Sequence, residues 1–344
     1  MTTELTKPGE AEYHAAASSS AAPVTVPATN GLLDSIRRNP TTTVVAAALA
    51  LLALGGILFV DGFTSTQNVE TVLRDAAFLG LVAVGMTFVV VSGSIVDLSV
   101  VPQMAVAATV ATVLRDHGPW ISITAALAAC LLFSLVNALG TGPLGGNGVI
   151  VTLATATAGI GILETFTGGA QYSGGPGLLA TIGSSSVGVL PVPFLVFVAV
   201  AVLAHLLLTR TIFGLRLRAT GTRRAAAKVA GISTSRSLWS AFALCSVGAA
   251  LAGMILAGYS SSAVSTMSAG YDFMALAAVV VGGTALLGGK GTIVGTVAGV
   301  LFLQVLLDLL SLVGLPYHWQ QFIQGIVIVA TLAVTAVLGR RSAS

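Results

Sequence analysis

The sequence predicts an all-α, polytopic integral membrane protein of about ten transmembrane helices. Two observations carry that prediction. Apolar residues make up 55% of the 344-residue chain, charged residues only 8%, and mean hydropathy is +0.97, far from the composition of a soluble globule. The apolar residues also fall into runs of spanning length, since a helix rising about 1.5 Å per residue needs roughly 20 residues to cross a hydrocarbon layer about 30 Å thick.

Residues 1–42, rich in Ala, Ser, Thr and Pro as in AAASSSAAPVTVPATN, carry too little apolar surface to fold alone and predict a disordered cytoplasmic tail. A cleaved secretory signal is the rival, because Arg37 and Arg38 precede an apolar run. That run begins late, however, and no A-x-A-like site closes it. Ten candidate spans follow: 43–60, 72–91, 98–114, 119–140, 149–167, 190–209, 237–258, 272–287, 292–312 and 320–338. The third and eighth are short and rich in small residues, so each is either a full span or a broken, partly inserted helix. Residues 43–339 form the membrane domain, and 340–344 a short second tail.

An even number of spans puts both ends on one side. With both ends cytoplasmic, inner segments hold 13 of the 15 basic residues, and only Arg74 and Arg115 fall outside, as the positive-inside rule requires. The net charge of +3 is thereby accounted for without a nucleic-acid partner.

Several classes of chemistry find no support. Cys130 and Cys245 both lie inside apolar runs, which suits small buried hydrophobes and neither a disulfide framework nor a metal site. His14, His117, His205 and His318 are scattered, with no i, i+4 pair. GGTALLGGKGT, 282–292, comes closest to a phosphate-binding loop, but Thr284 replaces its first glycine and Gly291 the Ser or Thr needed for Mg²⁺. A glycine-rich turn between helices explains it, and Gly295 with Gly299 gives a small-residue packing face. The chain is expected to hydrolyse no nucleotide and to bind no cofactor.

Charge concentrates in the loop at about 210–236, where Arg223, Arg224, Lys228 and Arg236 fall. Thr222 as N-cap and Gly231 as the residue after the helix bracket RRAAAKVA, predicting a two-turn helix. Arg224 and Lys228 share one face with Ala225 and Val229 beside them. Arginines in a first turn oppose the helix dipole, and so short a helix is marginal in water. It therefore either docks on a protein surface or lies on anionic head groups as a topology determinant.

FGLRLRATGTRRAAAKVAGI, 213–232, resembles the corresponding loop of sugar-type, ribose-permease-like ABC importer permeases. The likeness extends from about 72 to 338. GLVAVGMTFVVVSGSIVDLSV (80–100), NGVIVTLATATAGIGI (147–162), YDFMALAAVVVGGTALLGGKGTIVGTVAGVLFL (271–303) and HWQQFIQGIVIVATLAV (318–334) are similar to further stretches of that family. This sequence departs from the pattern at an extra residue between Ser92 and Asp97, at Ser94 for glycine, and at Val101-Pro102 after DLSV. Arg223 replaces a frequent Asn, Ala230 a frequent Ser, and Met274 an acid.

The resemblance implies a permease subunit whose coupling helix meets a separate ABC ATPase, with Gly221, Thr222, Arg223, Arg224, Ala226, Lys228 and Gly231 as the coupling residues. It implies ATP and Mg on that partner, an extracytoplasmic substrate-binding protein, a second permease subunit in a homo- or heterodimer, and a place in the bacterial cytoplasmic membrane. Competing classes are an ATP-independent transporter or channel, which needs no such partner, and a membrane scaffold, which passes no solute.

Intramembrane acids cost about 2.5 to 3.5 kcal/mol on insertion scales and face protein or water. Asp97, Glu164, Asp272 and Asp308 are the candidates. Asp97, near Ser92 and Ser99, either lines a path or caps the next helix. Glu164 and Asp272 belong near the outer surface. Gln304 and Asp308, i and i+4 with Ser311 a turn on, make a polar seam that either lines a cavity or bonds a neighbouring helix. The candidate pathway residues are Ser92, Asp97, Ser99, Thr152, Gln304 and Asp308. So few charges suit a neutral, hydroxyl-rich cargo, and 6% aromatics supply no dense stacking platform.

Overall fold

The computed structural model describes residues 40–330 except 176, 317 and 328. Of the predicted tails 1–42 and 340–344, residues 1–39 and 340–344 lie outside the described residues, while Pro40, Thr41 and Thr42 are helical and not part of a disordered tail. Helix α1, Pro40–Phe59, opens on a proline, whose fixed φ suits a first helical turn. It is followed by α2, Thr66–Val91; α3, Val100–Val113; α4, Pro119–Thr141; and α5, Gly148–Thr167. Next come short α6, Leu178–Ser184, then α7, Val192–Arg210; α8, Ile212–Thr222; α9, Arg224–Val229; and α10, Thr234–Ser260. Then come α11, Tyr271–Val281, and α12, Ile293–Leu312. Residues 318–327 are again helical, while 331–338 of the tenth predicted span lie outside the described residues.

Seven of these helices, α1, α2, α4, α5, α7, α10 and α12, are long and apolar enough to cross a membrane. The third and eighth predicted spans are the short ones: α3 has 14 residues and α11 has 11, so at about 1.5 Å per residue neither covers a 30 Å layer. The eighth stops six residues earlier than 287 because its backbone turns off the helix. Gly283 N–H donates to Val280 O at 2.9 Å and Thr284 N–H to Val279 O at 3.1 Å, a Schellman closure. The end of α2 closes the same way, Gly93 N–H to Val90 O at 3.0 Å and Ser94 N–H to Val89 O at 3.3 Å. Two matched turns thus precede the interruptions between α2 and α3 and between α11 and α12.

At the centre lie α2 and α10. Every residue of α2 from Ala76 to Val91 is buried, the mark of a helix walled by other helices on all sides. Hydrocarbon gives helices no hydrophobic reason to associate, so close packing of small residues supplies the contact. A methyl at Gly248 of α10 would overlap the Leu81 carbonyl oxygen, and one at Gly85 of α2 would come 2.8 Å from Cys245 Cα. The glycines Gly295 and Gly299 on α12 likewise press on the carbonyls of Gly282 and Ala278, the packing role expected of them. Cys130 and Cys245 are both free and buried.

Among the described residues, four two-residue strands pair into two antiparallel ribbons. β1, Tyr172–Ser173, pairs with β4, Ser262–Ala263; β2, Ser186–Val187, pairs with β3, Leu190–Pro191.

Candidate functional site

Helix α9 sits in the basic loop where the sequence placed it, with one cap reassigned. Thr222 is not its N-cap: it ends α8, and its hydroxyl donates back to Arg218 O at 2.9 Å. Such back-bonding keeps a threonine inside a helix. Arg223 holds the N-cap position, extended at φ −161° and ψ 101°, with no side-chain capping bond. The far end matches expectation. Gly231, at φ +75°, donates its N–H to Lys228 O at 3.0 Å while Ile232 N–H reaches Ala227 O at 2.9 Å, a closure that favours glycine at the left-handed position.

Only Ala227 of α9 is buried. Arg224 is half-buried, and its Nη1 donates to Thr141 O at 3.4 Å in the last turn of α4. A cation complements the negative end of that helix, which explains an arginine unfavourable to α9 itself. Arg223, Ala225, Ala226, Lys228 and Val229 face outward, Val229 at 91% exposure.

Immediately before α9, three backbones converge. Gly289 N–H donates to Val91 O at 2.9 Å. A methyl at Gly221 would overlap that same Val91 oxygen and come 2.6 Å from Gly289 N, and one at Gly288 would come 2.6 Å from Gly93 Cα. Beside them Arg218 Nη2 donates to Gly291 O at 3.3 Å, and burial lowers the pKa of this guanidinium. The end of α2, the end of α8 and the turn before α12 are therefore in direct contact at a place where no side chain fits.

The candidate pathway residues fall into two groups. Ser92 and Thr152 are buried, and their hydroxyls are spent on their own helices, donating to Val89 O at 2.7 Å and Gly148 O at 2.9 Å. Asp97 and Ser99 are buried together: Ser99 N and Oγ both donate to Asp97 Oδ1, at 2.9 and 2.5 Å. Ser99 Oγ in turn accepts from Gln103 Nε2 and Asn137 Nδ2, each at 2.7 Å, and Thr155 Oγ1 donates to Asn137 Oδ1 at 2.6 Å. Asp97 thus caps the turn into α3 and fastens it to α4 and α5. Its Oδ2 and Gln103 Oε1 make no hydrogen bond among the described residues.

Gln304 and Asp308 lie elsewhere, on α12, where they line a cavity of about 250 Å³ with Thr71, Asp75, Ser311 and Gln320. Asp308 Oδ2 accepts from Asn68 Nδ2 at 2.8 Å, and Gln304 Nε2 donates to Asp75 O at 3.4 Å. Sequence reasoning missed Asp75. The signal is an acid inside the second predicted span, but the positive-inside pattern assigns its neighbour Arg74 to the outer segment; α2 begins at Thr66 and carries both inside the helix. A larger cavity of about 710 Å³ between α3, α4 and α5 is walled by Val106, Val110, Leu132, Phe133, Ile162 and Phe166, and offers little to a hydrophilic solute.

Near the ends of α5 and α10, Glu164 Oε1 accepts from Ser265 Oγ at 3.2 Å. Among the described residues, no group of three or more His, Cys, Asp or Glu side chains is placed to hold a metal ion.

Comparison with known proteins agrees with this architecture. Residues 68–332 match the family model described as branched-chain amino acid transport system / permease component. The ribose import permease protein of Haemophilus influenzae is 32% identical over 309 residues, covering 86% of this chain and 93% of its own length. That of Bacillus subtilis is 35% identical over 273 residues, covering 77% and 84%. The autoinducer 2 import system permease protein of Shigella flexneri is 32% identical over 306 residues, covering 88% of each chain. No solved structure matches. The family match over residues 68–332, well over half of the chain, with relatives above 30% identity along most of their length, establishes that the chain belongs to the branched-chain amino acid transport system permease family, as a multi-pass, non-catalytic membrane subunit of an ABC importer.

Proposed function

We propose that this chain forms the translocation pathway for a small neutral hydrophilic solute, a monosaccharide or related polyol, handed over by an extracytoplasmic binding protein. It works as a pair with a second permease subunit, identical or closely related, in the bacterial cytoplasmic membrane, with both termini cytoplasmic. ATP and Mg are bound and used on two separate ATPase subunits, which meet α9.

The observation that carries this reading is the backbone junction at Gly221. The residue that leads into α9 touches both the end of α2 and the turn before α12, so displacement of α9 is transmitted without slack to two helices of the core. Packed interfaces shift between discrete arrangements and do not deform smoothly, which suits a switch between inward-open and outward-open states. The exposed Arg223, Ala226, Lys228 and Val229 form the face offered to the ATPase, and Arg224 with Gly231 fixes the helix beneath them.

Support for the cargo class comes from the α12 cavity, whose Thr, Gln, Ser and Asp side chains pair with hydroxyl groups, and from relatives named for ribose and autoinducer 2 import. Asp97 and Ser99 serve as a joint in the wall of the path.

The test is reconstitution of the chain in proteoliposomes with the ATPase of the same operon and its binding protein. Uptake of labelled ribose is expected to require ATP and to vanish when residues 221–231 are replaced by a Gly/Ser linker. Equal uptake without ATP, or unchanged ATPase association with the linker in place, would overturn the proposal and favour a transporter that works alone.

A further inference from the structure

Leu287 is 91% exposed at the tip of a turn that the rest of the molecule holds in place. Gly288 N–H donates to Ala285 O at 2.9 Å, Ala285 N–H donates to Lys290 O at 3.0 Å, and Gly289 N–H is tied to Val91 O at 2.9 Å. From below, Gly289 presses on Thr222, the residue two before α9. The turn is therefore braced on three sides while its leucine points away from all of them.

Ala285 and Leu286 are half-buried and Lys290 is exposed. Leu287 is thus the one large apolar side chain of residues 283–292 left outside. A single leucine on a rigid support fits a pocket, because no ordering cost remains to be met on binding; insertion into lipid favours a broader apolar face. The same surface continues through Thr222 to α9, where Val229 is equally exposed and Arg223 and Lys228 add positive charge.

We propose that residues 285–290 form a second docking element for the ATPase subunit that α9 engages. Leu287 enters an apolar pocket of that subunit and Lys290 faces an acidic side chain on its rim. This inference rests on the reading of α9 given above. Its mechanical consequence is a grip at two points on either side of the glycine junction, α9 on one and the turn leading directly into α12 on the other, so the motor moves α12 at its root.

Cys130 and Cys245 are buried, so a cysteine introduced on the surface is labelled selectively. The full chain carrying Leu287→Cys or Val229→Cys is labelled with a benzophenone maleimide, assembled in nanodiscs with the co-expressed ATPase and irradiated. Both positions are expected to crosslink to the ATPase. Leu287→Ser, with thermal unfolding unchanged, is expected to weaken ATPase binding at least tenfold in a titration. Crosslinking at 229 but not at 287, or only lipid adducts at 287, overturns the second docking element and leaves the α9 reading standing. Failure at both positions brings down both. Binding by Leu287→Ser within twofold of the parent overturns the anchoring role of the leucine.

Discussion

The amide of Gly289 donates to the carbonyl of Val91 at 2.9 Å, and Gly221 packs against that same oxygen. A single methyl group therefore tests the junction. Gly221→Ala must push α8 away from α2 or from the turn, since the obstructing atoms are backbone and have no rotamer to escape into. The variant is expected to bind the ATPase and hydrolyse ATP while uptake falls at least tenfold. Parallel measurement of co-purification, phosphate release and uptake checks it, and uptake equal to the parent's would show that coupling tolerates slack at this point.

Asn137 holds Ser99 with one end of its amide and half-buried Thr155 with the other, both Asn137 and Ser99 being fully buried. Asn137→Ala removes both bonds, while Ser99 Oγ keeps Asp97 and Gln103 and Thr155 Oγ1 keeps Val151 O and Thr152 O, and it is expected to cost about 0.5–1.5 kcal/mol per lost bond. Thermal unfolding of the detergent-purified protein should show a clear drop in Tm, with Thr155→Val falling between variant and parent.

Arg224 and Arg223 are neighbours with different duties. Removing the guanidinium that reaches Thr141 O loosens α9, whereas removing the exposed one does not. In Arg224→Met, amides 227–232 should exchange with deuterium severalfold faster, the loss of about 1 kcal/mol that a charged hydrogen bond of modest geometry contributes. Arg223→Met should leave that exchange unchanged and reduce ATPase binding.

The cavity at Gln304 and Asp308 allows the charge on the cargo to be read out. For a neutral polyol, Gln304→Leu should raise the KM for uptake about tenfold, the value of one good hydrogen bond lost. Asp308→Asn, which still accepts from Asn68, should change it by less than threefold. A cationic cargo would reverse that order, because charge and not hydrogen-bonding capacity would then dominate.

Span positions were legible because apolar run length is a local property: α4, α5 and α12 lie within a residue or so of where hydropathy alone puts them. The shortness of α3 and α11 could be read from their small residues. What escaped depended on contacts between distant segments. Nothing near Gly221 announces that it meets Val91 and Gly289, since a glycine in a loop looks the same whether it turns freely or is pressed by another backbone. Thr222 misled for a related reason, because its hydroxyl serves equally as a cap or as a bond back to Arg218. Asp97 could be recognised as unusual, but its burial against Asn137, which Thr155 holds from the far side, required the helices to be assembled first.

The pairing of Tyr172 with Ala263 and of Ser173 with Ser262 joins two connections far apart in the chain, and Arg115 fastens a third by donating to Ser173 O at 2.7 Å. These three connections cannot tilt separately. They make a single stiff plate at that end of the helices, so a load landing on any one of its corners is shared by α3, α5 and α10 together.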